Sequence, residues 1–83
     1  MMTRPLPMRQ LRVLTYLENV RGRVRVREVA KDLGMKDTVA WATLTLLAAK
    51  DLADSHTGSS VAEFQITDTG REALEAARKD DPS

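Results

Sequence analysis

A chain of 83 residues, 42% hydrophobic and 30% charged, makes one small domain, which buries only about 60% of its unfolded surface. It has no cysteine, which rules out disulfides and thiolate metal sites, and its apolar runs of at most four residues are too short to cross a bilayer. The net charge of +1 hides an asymmetry: residues 1–36 carry nine Lys/Arg against three acids, and residues 37–83 carry four against nine. One pole of the domain is therefore expected to be basic, a footprint for phosphate. The N-terminus has no apolar core of the signal-peptide kind, so a cytoplasmic protein without membrane contact is expected.

Residues 1–7, MMTRPLP, hold two prolines and no periodicity and read as a loose arm. From Met8 the apolar residues Leu11, Leu14, Leu17 and Val20 recur at helical spacing, widened by Val13 and Tyr16, and Gly22 is expected to end the helix. Arg23–Arg25 alternates like a strand but is too short to stand alone. Val26, Val29, Ala30 and Leu33 mark a second helix closed by Gly34. A third fits Asp37–Lys50, with Asp37 as its N-cap and Ala40, Leu44 and Leu47 on one face.

After Leu52 the period changes to two. Residues 52–56 and 61–66 read as strands joined by the turn Thr57–Gly58–Ser59–Ser60, with Ala62, Phe64 and Ile66 facing one way and Glu63 and Gln65 the other. Thr67 then caps a last helix through Lys79, with Asp68 in its first turn and Arg78 and Lys79 in its last, as the helix dipole favours. Residues 80–83 are a polar tail, leaving 8–79 as the domain. A lone hairpin needs a third strand or a helix surface, and Arg23–Arg25 is the strand available.

This order resembles the winged helix-turn-helix DNA-binding domains, most of all the small MarR-type regulators. VREVAKDLGMKDTV (Val26 to Val39) resembles the helix-turn-helix, with Ala30 at its small position and Gly34 at the turn. LLAAKDLADS (Leu46 to Ser55) is similar to a recognition helix running into the first wing strand, and FQITDTGREAL (Phe64 to Leu74) to the strand, threonine cap and glycine after the wing. The resemblance spans residues 8–78. It implies an α+β, mostly α fold (helix, short strand, helix, helix, two-stranded wing, helix). It also implies double-stranded DNA as partner and a role as a prokaryotic, archaeal or phage transcriptional regulator acting as a homodimer. Helix 1 and the last helix, with Ala73, Leu74 and Ala77, are the expected dimer surfaces.

In that fold Val24 and Val26 face the core, and Arg21, Arg23, Arg25, Arg27 and Lys36 are the expected phosphate contacts, extended by Arg9 and Arg12 on helix 1. Arginine suits phosphate through its planar, permanently charged fork. Arg25 stands where the resemblance implies a Ser or Thr cap. The third helix is the expected groove reader. Projected at about 100° per residue, it turns Thr38, Ala42, Thr45 and Ala49 outward, flanked by Trp41 and Ala48 on one side and Val39 and Leu46 on the other.

That face has no Arg, Lys, Asn or Gln, the types that make bidentate contacts to purines. Two readings of it stand. Its methyl groups pack on thymine methyls while the Thr38 and Thr45 hydroxyls donate to DNA, or Trp41, Ala42, Thr45, Leu46 and Ala49 dock a protein partner or a second copy. A third, plainer role for Trp41 is to cover the wing or helix 1. The wing offers His56 as its single cation, with Ser59 and Ser60 as phosphate donors. One histidine, no cysteine and no nucleophile–base pair give no expectation of an enzyme, a metal or a cofactor.

Overall fold

The computed structural model describes residues 6–56 and 61–79; most of the N-terminal arm, the hairpin turn with Ser59 and Ser60, and the polar tail lie outside the described residues. Helix α1 (Met8–Val20) buries Val13, Leu14 and Leu17 completely, as its apolar stripe requires. Its stop differs from expectation. Arg21, not Gly22, adopts the left-handed conformation (φ 57°), and its N–H reaches back to the Leu17 carbonyl at 3.4 Å. Gly22 merely follows the turn.

Strand β1 (Val24–Arg25) leads directly into α2 (Val26–Leu33), which Gly34 ends at φ 65°. The Met35 N–H then closes onto the Ala30 carbonyl at 2.9 Å, fixing the tight turn into α3 (Asp37–Ala49). The cap of α3 is Lys36 rather than Asp37: the Lys36 carbonyl accepts the first helical bond, from Ala40 N–H at 2.9 Å, and Asp37 is already inside the first turn. A carboxylate there still favours the helix dipole.

Strands β2 (Ala53–His56) and β3 (Glu63–Ile66) form the wing, and α4 (Asp68–Lys79) closes the chain. The sheet is antiparallel in the order β1-β3-β2, so the two-residue strand supplies the third strand that the hairpin needs. Val24 lies opposite Phe64 and Ala53 opposite Ile66, which puts four buried side chains on one sheet face. They join Val13, Leu14, Leu17, Val29, Ala40, Leu44, Leu47 and Leu74 in a single core.

One joint fixes the wing to α4. Thr67 Oγ1 accepts from the Gly70 N–H at 3.0 Å, as the sequence predicts for a cap, and donates to the Asp51 carbonyl at 2.7 Å. Asp51 itself is left-handed (φ 61°), and the Thr67 N–H bonds the Leu52 carbonyl at 3.2 Å. A side chain at Gly70 would strike that same Leu52 carbonyl, so glycine is required there for space, not for φ. Elsewhere α1 and α2 are tied by the Tyr16 hydroxyl donating to Asp32 and by Arg12 donating to the Leu33 carbonyl at 3.1 Å.

Candidate nucleic-acid interface

β1, the start of α2, the first half of α3 and the segment entering β3 meet around one groove. Arg25 and Arg27 stand on one wall, Asp37, Thr38 and Trp41 on α3 form the second, and Val61 and Ala62 from the wing form the third, with Val26 also lining the groove. Their sequence separations are large. The link is the β1–β3 pairing, which sets Arg25 opposite Glu63 and thereby brings the wing beside the helix-turn-helix.

The walls are built by ordinary strand and helix rules. Alternation buries Val24 in the core and leaves Arg23 and Arg25 exposed, while Arg27 is exposed on α2. Among the described residues, none of Arg23, Arg25, Arg27 or Lys36 forms an ion pair; the pairs present are Arg71–Asp68 and Arg78–Glu18. Among the described residues these four cations have no carboxylate at ion-pair distance, and Arg25 and Arg27 line the groove beside α3.

Two of these cations occupy a position that helix physics disfavours. Arg25 caps α2 and Lys36 caps α3, both with extended backbone (φ −90°, ψ 154° and φ −71°, ψ 150°), and neither helix has a side-chain cap bond. Ser, Thr, Asn or Asp at such a position would accept from an orphan N–H of the first turn. Arginine and lysine cannot accept, and their charge opposes the positive end of the helix dipole by about 0.3–1 kcal/mol each. Both helices of the helix-turn-helix thus begin without a side-chain acceptor for their first N–H groups and with a cation beside them.

The remaining expected site residues are placed as follows. Thr38, Trp41 and Ala42 are exposed on α3, and Thr45 is half-buried. Trp41 is 46% exposed and packs edge-on against Phe64 of β3, with ring centroids 5.9 Å apart and planes at 76°. It therefore covers the wing strand with one side and shows the other to the groove. The Thr45 hydroxyl does not face outward as a free donor: it donates within its own helix, at 2.9 Å from the Trp41 carbonyl and 3.0 Å from that of Ala42. This is the common back-bonding of a mid-helix threonine.

Arg21 is set apart. It lines a separate depression with Glu18, Asn19 and Arg71, where α1 ends near α4, and no residue of the main groove lines it. The left-handed turn at Arg21 accounts for the separation from Arg25, because it redirects the chain before β1 begins. His56 lies on β2 opposite Glu63, half-buried, so that Glu63 sits between His56 and Arg25 across the sheet. Val61 and Ala62 were legible only as a strand start; their part in the groove follows from the register, which no local pattern in the sequence gives.

No protein-family model matches the chain, and no curated protein matches it in sequence. Solved structures do match in fold. The YusO protein from Bacillus subtilis is 28% identical with a TM-score of 0.75, over 89% of this chain and 56% of its own. Sco5413, a MarR family transcriptional regulator from Streptomyces coelicolor, is 25% identical with a TM-score of 0.81, over 90% of this chain and 54% of its own. A MepR mutant from S. aureus, bound to an oligodeoxyribonucleotide, is 19% identical with a TM-score of 0.80 over 89% of this chain. The chain thus spans little more than half the length of the structures it matches. The protein has the winged helix-turn-helix fold, with α2, α3 and the β2–β3 wing in their usual order, and is similar in structure to MarR-family transcriptional regulators.

Proposed function

We propose that this protein binds double-stranded DNA, with α3 in the major groove and the phosphate backbone held by Arg23, Arg25, Arg27 and Lys36, and that it acts as a transcriptional regulator. The observation that carries this reading is the pair of cation-capped helix N-termini. In the free protein each places a cation at the positive end of the dipole, offset in part by Glu28 or Asp37 in the first turn, and offers its N–H groups no side-chain acceptor. A phosphate oxygen resolves both defects at once, accepting from the N–H groups and pairing with the guanidinium or ammonium beside them. The structure of MepR with an oligodeoxyribonucleotide, alike in fold, lends support.

Arg21 belongs to this reading only as a peripheral contact, since Glu18 and Arg71 are its neighbours. On the wing, His56 shares its row with the Glu63 carboxylate, which works against a phosphate there. Two copies bind a two-fold symmetric site, joined through α1, where Met8 (74% exposed) and Val20 (41% exposed) leave apolar surface open, and through α4, where Leu74 is buried in the core and only the half-buried Ala73 and Ala77 remain of the expected contact. The alternative of α3 as a protein-docking face is weaker: Trp41, its natural anchor, is already engaged with Phe64, and the face is bordered by unpaired cations.

The test is fluorescence anisotropy on duplex DNA across a salt series, with light scattering for mass. If each copy neutralises about four phosphates, log affinity falls against log salt with a slope near −3.6 per copy. The double variant Arg25→Glu/Arg27→Glu abolishes retention and keeps its mass and its cooperative thermal unfolding. A salt slope near zero, or undiminished binding by that variant, overturns the proposal.

A further inference from the structure

If α3 enters the major groove, its side chains limit which bases it distinguishes. Bidentate recognition of guanine or adenine needs Arg, Lys, Asn or Gln, and α3 offers none. The structure narrows the inventory further. The Thr43 hydroxyl donates to the Val39 carbonyl at 2.8 Å and is buried, and that of Thr45 is turned onto the Trp41 and Ala42 carbonyls. Among the described residues, the donors left on this helix face are the Thr38 hydroxyl and the Trp41 indole N–H. Neither can bind two atoms of one base.

What the groove side of this face presents instead is mostly carbon: the methyl of Thr38, the open side of Trp41, and beside it Ala62 and Val61 of the wing, the latter 39% exposed, with Ala42 exposed one turn beyond Thr38. This floor is bounded by Arg25 and Arg27 on one wall and by the single carboxylate of Asp37 at the start of α3, an excess of positive charge, so its occupant carries negative charge outside and apolar groups inside. In the major groove of DNA one group answers that description, the C5-methyl of a pyrimidine.

We infer that the α3 face reads C5-methyl groups, and that the protein prefers duplexes rich in methyl-bearing pyrimidines, thymine or 5-methylcytosine, over the same sequences without the methyl. The inference rests on the DNA-binding reading but can fail separately from it. Desolvating one methyl against this floor strengthens binding about fourfold.

The experiment uses four synthetic duplexes at one fixed salt: alternating dA-dT, alternating dA-dU, alternating dG-dC, and alternating dG with 5-methyl-dC. Each pair differs by the C5-methyl alone, with every hydrogen-bonding edge and phosphate unchanged. The methylated member of each pair is expected to bind at least about fourfold more tightly. Thr38→Ser removes one methyl from this floor and keeps the hydroxyl, so it shrinks the dA-dT to dA-dU ratio and leaves the salt slope unchanged. Arg25→Glu weakens all four duplexes together and leaves that ratio intact. Equal affinity within both pairs overturns the inference while leaving DNA binding standing; no binding to any duplex removes both.

Discussion

Replacing Arg25 with serine should make the protein more stable and a poorer DNA binder. Arg25 already holds the extended backbone of an N-cap residue, and Glu28 stands three positions on, so Arg25→Ser completes a capping box without moving the chain. A cap of this kind contributes about 1 kcal/mol, within a range of about 0.5–2. Removing a cation from the positive end of α2 adds about 0.3–1 kcal/mol. Against this stands the lost attraction between Arg25 and Glu63 across the β1–β3 pair, about 0.2–1 kcal/mol and at the low end because the two form no ion pair. The net gain is about 1 kcal/mol, which for a domain of this size raises Tm by about 4–8 °C. The same change removes one phosphate contact, so the salt slope becomes shallower by about 0.9. Thermal melting followed by circular dichroism, run beside the anisotropy series, reads both effects. Arg25→Ala is the control, losing the charge without gaining the cap. If Arg25→Ser melts no higher than the parent, the reasoning that these caps trade stability for phosphate binding is refuted.

Other consequences follow from the same structure. Gly70→Ala drives a Cβ into the Leu52 carbonyl and to within 2.8 Å of the Ile66 side chain, at the joint between wing and α4; it should cost about 2–3 kcal/mol in urea unfolding. Trp41→Ala loses the edge-on contact with Phe64 and should destabilise by about 1–2 kcal/mol while weakening DNA binding; a halved mass in light scattering would instead favour α3 as a protein contact. The Tyr16 phenol is pushed up to about 12 by its hydrogen bond to Asp32, then by burial and by the nearby Asp32 and Glu28 charges. The raised value favours the neutral phenol in the fold, so its contribution is complete below pH 10.0 and is lost as pH rises towards about 12. Tyr16→Phe should be less stable than the parent at neutral pH, and that gap should close across this alkaline window in urea midpoints.

Much of the fold was legible because its signals are local. Helical spacing in α1, the change to alternation after Leu52, Gly34 in the left-handed turn and Thr67 as a cap are each set by a few neighbouring residues. Boundaries moved where two local solutions compete: Arg21 takes the left-handed turn although Gly22 is adjacent, and Lys36 precedes Asp37 as the cap. The side-chain hydrogen bond of Thr45 was hidden because a hydroxyl on an exposed helix face can turn either way.

The sequence by itself determined the class of fold, the excess of positive charge in the first half and the scarcity of charge on the third helix, where Asp37 stands alone. Periodicity and composition are properties of order along the chain and survive without knowledge of packing. Only the tertiary structure decided which arginines share a groove. The antiparallel register of β1 on β3 sets Arg25 and Arg27 in one groove with Trp41 and Val61, while a single left-handed residue sends Arg21 to another. A pairing between residues 24–25 and 63–64 is a long-range choice, made by burying Val24 against Phe64, and no short stretch of sequence contains it.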